Sequence, residues 1–125
     1  FTAGDPWMGV TPNYREINAA SQVGDPSSVY AYYRALADVR HGLPVIASGM
    51  FERIATPSPA VFAYRRTLGE AVATVLVNLS SRPASLGEAA RGVAGELLLS
   101  NRDLPEAERG VPAVLEPWEA RVYLA

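Results

Sequence analysis

The chain has 125 residues, a formal net charge of −2 and no cysteine, so it is long enough for one modest domain that buries about two-thirds of its unfolded surface. The near-neutral charge gives no electrostatic reason to expect nucleic acid or an anionic membrane as a partner, and no apolar run approaches the roughly 18–20 residues that span a bilayer. The lack of cysteine excludes thiol catalysis, disulfide bonds and thiolate metal sites.

The first 24 residues show no sustained period and are rich in glycine, proline, aspartate and asparagine. A structureless stretch of this length is typical of a binding loop or of a disordered tail. Its apolar and aromatic content argues against disorder; the residues concerned are Phe1, Trp7, Met8, Val10, Tyr14 and Ile17. We therefore expect a loop that packs partly on the following helix and partly on something outside this chain.

The next segment, residues 25–41, has helical periodicity and is the segment around which the chain is organised. Asp25 is predicted as its N-cap and Pro26 as its first helical residue, while Gly42 and Pro44 end it. Its apolar stripe consists of Val29, Tyr32, Tyr33, Leu36 and Val39. We predict that this stripe is partly exposed within these 125 residues, because its partner is missing.

Everything after the helix is predicted to be strands. Residues 44–48 and 50–55 are short segments fenced by glycine and proline, and residues 61–66 alternate with the period of a strand. Residues 71–79 are almost wholly apolar and β-branched, which favours a central strand covered on both faces. The short link Leu68-Gly69-Glu70 joins these two runs into a hairpin.

The last third of the chain is predicted to hold further short strands. Residues 84–93 fit either a short strand and a turn or a helical turn, residues 96–100 and 114–115 fit strands, and residues 101–112 fit an exposed acidic loop. In the final run, Trp118, Ala120, Val122 and Leu124 are expected on one side. The total of six or seven antiparallel strands is typical of a sandwich.

The loop and helix carry a recognisable pattern of residues. Pro6-Trp7, Pro12-Asn13-Tyr14, Ile17-Asn18, Gln22 and a tyrosine-rich helix ending in Val39-Arg40 resemble α-glucosidases and oligo-1,6-glucosidases of glycoside hydrolase family 13, in the α-amylase superfamily. Residues 62–66, 97–101 and 116–124 are similar to later strands of that family. Thr11 departs from the pattern, which usually has Asn there.

The resemblance implies a mainly β fold, an antiparallel β-sandwich preceded by a long loop and one α-helix from the end of a (β/α)₈ barrel. Residues 1–43 would be the last loop and helix of the barrel, and residues 44–125 the C-terminal sandwich. The chain starts at Phe1 with neither methionine nor a signal-peptide pattern, so we expect it to begin within a longer, cytoplasmic polypeptide. The expected partners are the catalytic barrel of the same enzyme and its oligosaccharide substrate, and no cofactor is expected.

The implied reaction is retaining hydrolysis of α-glucosidic bonds, which needs two carboxyl groups about 5–5.5 Å apart. By resemblance these groups lie in earlier barrel loops, and none of their motifs appears here. We therefore expect no catalytic residue and no metal ligand in this chain, and no activity from it alone. The carboxylates of Asp103, Glu106 and Glu108 are interpreted as a solvated loop, and His41 as a favourable residue at a helix end.

Trp7, Asn13 and Tyr14 are the candidate substrate-binding residues, because aromatic rings stack on sugars and the implied position of this loop is near the barrel mouth. The alternative is that the aromatic residues anchor the loop on the barrel. Asn13 and Asn18 would either bind substrate or satisfy backbone groups of the loop. The sequence Asn78-Leu-Ser matches a glycosylation acceptor, but we interpret it as a coincidence in an apolar strand.

Two other functions remain open. A stand-alone carbohydrate-binding β-sandwich is the main alternative, although the part after the helix has one tryptophan and no row of aromatic residues. A generic immunoglobulin-like interaction module would leave the loop and helix unexplained.

Overall fold

The computed structural model describes residues 4, 5 and 7–125, and the chain divides into two compact units, Phe1–Ala35 and Leu36–Ala125. Phe1 and Pro6, which the sequence analysis placed in the apolar loop and in the family pattern, lie outside the described residues.

The first unit contains a short helix, α1 (Ala19–Gln22), and the beginning of α2 (Val29–Gly42). The predicted cap of α2 is wrong, because Ser28 and not Asp25 caps it. The Ser28 hydroxyl accepts the N–H of Ala31 at 3.1 Å. The Asp25 carboxylate instead accepts the N–H and the hydroxyl of Ser27, at 2.9 and 2.7 Å, and closes a turn before the helix.

Helix α2 has no buried residue. Val29 is 67% exposed and Tyr33 is 69% exposed, while Leu36 is half-buried. The predicted exposure of the apolar stripe is therefore confirmed.

Residues 44–48 form a third helix, α3 (Pro44–Ser48), and the prediction of a strand segment here is wrong. Leu43 is extended and serves as the N-cap, and Pro44 takes the first helical position, where its missing N–H costs nothing. Pro44 therefore ends one helix and begins the next. Helix α3 packs against the strands at Val61–Leu68 and Ala71–Asn78, and its Val45 is buried.

The second unit is built on a five-stranded antiparallel sheet. Its strands are β1 (Met50–Ile54), β2 (Val61–Leu68), β3 (Ala71–Asn78), β5 (Glu96–Ser100) and β7 (Ala120–Leu124), in the order β1-β2-β3-β7-β5. A two-stranded ribbon joins β4 (Ala84–Ser85) to β6 (Val114–Leu115). The predicted strands at 96–100 and 114–115 and the central position of β3 are confirmed.

The predicted hairpin of β2 and β3 is also confirmed, with Leu68 paired to Ala71. Gly69 lies in the turn at φ +61°, in the left-handed region that glycine adopts without steric cost. Residues 84–93 combine the two possibilities left open, since strand β4 is followed by a 3₁₀ helix at Gly87–Gly92.

The core lies between the sheet and the β4–β6 ribbon, which makes a sandwich of one large and one small layer. Its buried members are Val61, Ala63, Leu76, Ala84, Leu86, Leu115 and Tyr123. The mainly β sandwich fold expected from the sequence is confirmed. The sheet face toward this core is called the inner face below, and the opposite face the outer face.

The alternation predicted for the last run is confirmed within β7, where Ala120, Val122 and Leu124 lie on one side. Ala120, Val122 and Leu124 are half-buried on the outer face, whereas Arg121 and Tyr123 are buried on the inner face. Trp118 lies outside the strand, is exposed and has φ +57°. Apolar side chains do not mark the core side here because the buried Arg121 is paired with Glu119 and with loop carbonyls.

Candidate functional site

The three predicted binding residues lie in one exposed loop of the first unit. Trp7 is 92% exposed, Tyr14 is 47% exposed, and Asn13 is exposed as well. A tight turn presents Asn13 and Tyr14, because the N–H of Tyr14 donates to the carbonyl of Thr11 at 3.0 Å. The carbonyl of Asn13 then accepts the N–H groups of Glu16 and Ile17, both at 2.9 Å.

Asn18, the second asparagine of the pattern, has a structural role. Its Nδ2 donates to the carbonyls of Tyr14 and Arg15, at 2.9 and 3.2 Å, and its Oδ1 accepts the N–H of Ser21 at 2.9 Å to cap α1. Its amide is fully engaged with the backbone. Asn13 differs, because its side-chain amide makes no hydrogen bond within residues 4–5 and 7–125.

The ring of Tyr14 is accompanied by Arg15. The Nε of Arg15 donates to the Tyr14 hydroxyl at 3.1 Å, and its guanidinium carbon lies 5.6 Å from the ring centroid. A sugar that stacks on Tyr14 would therefore use the ring face that the guanidinium leaves open.

Two further residues fix the path from the loop into α2. The Gln22 Oε1 accepts the N–H of Tyr30 at 3.0 Å, and the Ser28 hydroxyl lies 3.0 Å from the carbonyl of Gln22. Gln22 was noted only as part of the family pattern, and the role of Ser28 was missed. A serine three residues before Ala31, at the start of the helical period, was the available signal.

The second unit contains a buried cluster of charges that sequence reasoning missed. The Nε of Arg121 donates to Oε1 of Glu119 at 2.7 Å, and their side chains are only 6% and 1% exposed. The Nη1 of Arg121 donates to the carbonyls of Glu108 and Gly110, at 2.7 and 2.9 Å. The Tyr123 hydroxyl donates to the same Gly110 carbonyl at 2.9 Å.

These contacts indicate that the cluster has a structural role. Burial lowers the pKa of Arg121, but its hydrogen bonds to Tyr123 and Glu119 outweigh this and leave the pKa above its ordinary value. Burial raises the pKa of Tyr123. The second carboxylate oxygen of Glu119 accepts the N–H of Glu116 at 2.7 Å, so neither oxygen is free to attack a sugar or carry a proton to one.

A pocket of about 330 Å³ lies beside this cluster. It is lined by Ala107, Glu108, Gly110, Val111, Pro112, Val114, Glu116, Glu119 and Arg121. Although three glutamates line it, Glu119 is held as described, and Glu108 and Glu116 are exposed residues.

The glycosylation-type sequence at Asn78 is buried. Asn78 is 0% exposed, and its Nδ2 donates to the carbonyls of Arg82, Leu115 and Glu116. Its Oδ1 accepts from the N–H and hydroxyl of Ser80. The interpretation of this sequence as a coincidence agrees with that burial.

Within the part of the chain that the structure covers, no helix is long and apolar enough to cross a membrane. The same residues contain no group of three or more histidine, cysteine or acidic side chains placed to hold a metal ion.

Comparison with protein families divides the chain in two. Residues 1–49 match the family described as "Alpha amylase, catalytic domain", and residues 50–122 match "Domain of unknown function (DUF3459)".

Similar proteins match over nearly the whole chain. The oligo-1,6-glucosidase of Parageobacillus thermoglucosidasius is 41% identical over 98% of this chain and 22% of its own length, and that of Halalkalibacterium halodurans is 37% identical over 99% and 22%. The solved isomaltulose synthase of Klebsiella sp. LX3 has 32% identity and a TM-score of 0.82, with 100% of this chain and 23% of that one covered. The chain spans about a fifth of the length of the curated relatives it matches.

Proposed function

Because this chain belongs to the α-amylase superfamily, as the end of the α-amylase catalytic domain followed by a DUF3459 domain, we propose that it is the C-terminal part of an α-glucosidase. The enzyme would hydrolyse terminal α-glucosidic bonds of small oligosaccharides with retention of configuration. The observation that carries the proposal is the match of 98% of this chain to an oligo-1,6-glucosidase at 41% identity.

In this proposal the chain is structural and has no catalytic carboxylate of its own. Residues 1–43 are the last loop and helix of the barrel, and residues 44–125 are the β-sandwich domain. The fully bonded Glu119 and the exposed apolar stripe of α2 support this assignment, because the first is unavailable for chemistry and the second lacks a cover.

Trp7, Asn13 and Tyr14 are proposed as substrate-side residues of that enzyme. Their exposure and the unused amide of Asn13 support this role. Asn18 serves as the matched control for Asn13, since its side-chain amide already bonds to backbone groups. In the full-length enzyme, Asn13→Ala should raise KM or lower kcat with little change in the thermal midpoint. Asn18→Ala should lower the thermal midpoint. If Asn13→Ala leaves both kinetic parameters unchanged, Asn13 does not contact the substrate.

The central test compares the 125-residue chain with the full-length enzyme on a chromogenic α-glucoside. We expect turnover by the full-length enzyme only, and NMR of the first-formed product should show the α-anomer. Turnover by the isolated chain would contradict the proposal. A β-anomer would exclude retention. With sucrose as the substrate, isomaltulose as the main product would instead favour a synthase like the structural relative from Klebsiella.

Titration of the isolated chain with maltose, followed by tryptophan fluorescence, tests the alternative of a stand-alone carbohydrate-binding module. Saturable quenching would favour that alternative. Trp7→Phe and Trp118→Phe would then show which ring reports the sugar.

A further inference from the structure

Four segments of the second unit meet at the pocket of about 330 Å³, here called the loop pocket. Its walls come from the 101–112 loop, strand β6, the turn before β7 and β7 itself. The Arg121 guanidinium bonds to the carbonyls of Glu108 and Gly110, and so fixes the loop wall to the strand. The volume falls within the range of about 300–1,000 Å³ that is typical of small-molecule sites, and it is large enough for one sugar ring.

Arg121 carries a donor that the protein leaves unused. Its side chain is 6% exposed, and Nε and Nη1 make all of its hydrogen bonds to the residues that the structure describes. Among those residues, no buried side-chain nitrogen or oxygen lacks a partner, so the unbonded Nη2 touches open space. The open space that Arg121 lines is the loop pocket. Nη2 therefore offers its N–H groups there.

Carboxylates supply acceptors around this donor. Glu108 and Glu116 are exposed and line the loop pocket, and their side chains make no hydrogen bond within residues 4–5 and 7–125. Glu119 also lines it, but both of its carboxylate oxygens are already bonded. Three carboxylates beside one guanidinium disfavour an anionic ligand. The guanidinium in turn disfavours a cation, so the charges match a neutral ligand with both donors and acceptors.

Apolar groups complete the wall of the loop pocket. Val111 and Pro112 are half-buried, and Val114 is 43% exposed. A pyranose ring presents C–H groups on its faces and hydroxyl groups around its edge. Such a ring would cover the apolar side chains while its hydroxyl groups reach the charged ones, which is the usual composition of a small-molecule site.

We propose that the loop pocket binds one neutral sugar ring. One ring hydroxyl accepts a hydrogen bond from Nη2 of Arg121, and neighbouring hydroxyl groups donate to the carboxylates of Glu108 and Glu116. The site belongs to the second unit, whereas Trp7 and Tyr14 belong to the first. Glucose is chosen as the probe, and this choice rests on the proposed function, because glucose is the product of that enzyme.

Hydrogen–deuterium exchange of the full-length protein, titrated with glucose, locates the binding. Peptides that cover residues 105–121 should exchange about tenfold more slowly when glucose is at ten times its dissociation constant, because the sugar must leave before the site opens. Unchanged exchange of these peptides across the titration would overturn the proposal.

Two glutamate variants provide the matched comparison. Glu116→Ala should raise the dissociation constant for glucose about tenfold, because an ionised acceptor is lost. Glu106→Ala should leave it unchanged, since the exposed Glu106 pairs with Arg109 and does not line the loop pocket. Equal dissociation constants for the two variants would show that glucose acts from another site, and would contradict the proposal.

Glucose 6-phosphate tests the charge of the loop pocket. It has the same ring, but its phosphate would approach the carboxylates of Glu108 and Glu116, so it should protect residues 105–121 much less than glucose does. Equal protection by the two ligands would indicate an anion site at Arg121 and overturn the proposal of a neutral sugar site.

The α-glucosidase assay separates this proposal from the proposed function. A full-length protein without turnover whose residues 105–121 are protected by glucose would lack the proposed function and keep the sugar site. An active enzyme without that protection would keep the function and lose the sugar site.

Discussion

Glu119 and Arg121 form a buried ion pair in which Nε and Oε1 lie 2.7 Å apart. Besides Glu119, the Arg121 guanidinium bonds to the backbone carbonyls of Glu108 and Gly110 in the 101–112 loop and to the Tyr123 hydroxyl. The pair therefore holds the acidic loop against the core side of β7. The loop is exposed, as predicted.

Removing the arginine from this pair should be costly. Arg121→Met leaves the Glu119 carboxylate buried without its cation, and the free energy of unfolding should fall by about 3–5 kcal/mol. Urea denaturation of the isolated second unit or of the whole protein measures this. The control is Arg91→Met, which breaks an exposed pair with Glu88 and should cost under about 1 kcal/mol. Equal losses in the free energy of unfolding would show that the buried Glu119–Arg121 pair contributes no more than the exposed one.

Asn78 should behave as a buried support of the backbone. Asn78→Ala leaves three carbonyl groups without their donor, and we expect a loss of about 3 kcal/mol in the free energy of unfolding. Asn101→Ala is the matched control, because exposed Asn101 also bonds two backbone groups and should cost less.

In a secreting host, mass spectrometry should find no glycan on Asn78. A glycosylated, folded product would contradict its burial.

Gly95 should tolerate no side chain. It has φ +92°, and an added Cβ would overlap the carbonyl of Leu124. Gly95→Ala should therefore lower the free energy of unfolding by more than about 2 kcal/mol. Gly92→Ala is the control, since nothing lies within 4 Å of its added Cβ. Thermal melts of the two variants provide the comparison, and a stable Gly95→Ala protein would contradict the close approach of Leu124 to Gly95.

The Ser28 cap predicts a difference between two neighbouring substitutions. Ser28→Ala should destabilise the first unit by about 1 kcal/mol, because the N–H of Ala31 loses its acceptor. Asp25→Ala should cost less, since its carboxylate bonds only to Ser27 before the helix. Far-ultraviolet circular dichroism during thermal unfolding measures both. A larger loss of stability in Asp25→Ala than in Ser28→Ala would indicate that Asp25 caps the helix.

The exposed Glu52–Arg65 pair predicts a dependence on pH. A hydrogen bond from Arg65, followed by its charge, holds the pKa of Glu52 below its ordinary value of 4.5. A carboxyl group with a lowered folded pKa contributes stability above the unfolded value, and this contribution is lost as pH falls through the folded pKa. NMR titration should therefore show the Glu52 pKa rise toward 4.5 in Arg65→Met. An unchanged Glu52 pKa would contradict the contact.

Several local elements could be predicted because neighbouring residues decide them. Alternation over residues 61–66, the apolar run over residues 71–79 and the intervening glycine predict the β2–β3 hairpin that the structure contains. The apolar stripe of α2 follows from helical spacing, and its exposure was expected because the segment it packs against lies outside this chain. The family resemblance, carried by Trp7, Asn13 and Tyr14 among others, agrees with the matched families.

The wrong predictions fall where two local solutions compete. Asp25 and Ser28 both suit a helix cap, and only the backbone conformation decides between them. Pro44 stops one helix and starts another, and sequence reasoning recognised only the stop. The roles of Asn13 and Asn18 were left open rather than mistaken, and the structure shows the side chain of Asn18 bonded to the backbone.

The sequence by itself determined the class of the fold, the two kinds of structure on either side of α2 and the family resemblance, because these depend on periodicity, turn residues and a dense pattern of side chains. Only the tertiary structure decided which face of β7 is buried. Both faces of that strand offer plausible core residues, with Val122 on one side and Tyr123 on the other. The carbonyls of a loop distant in sequence, together with Glu119, satisfy the guanidinium and bring Arg121 inside.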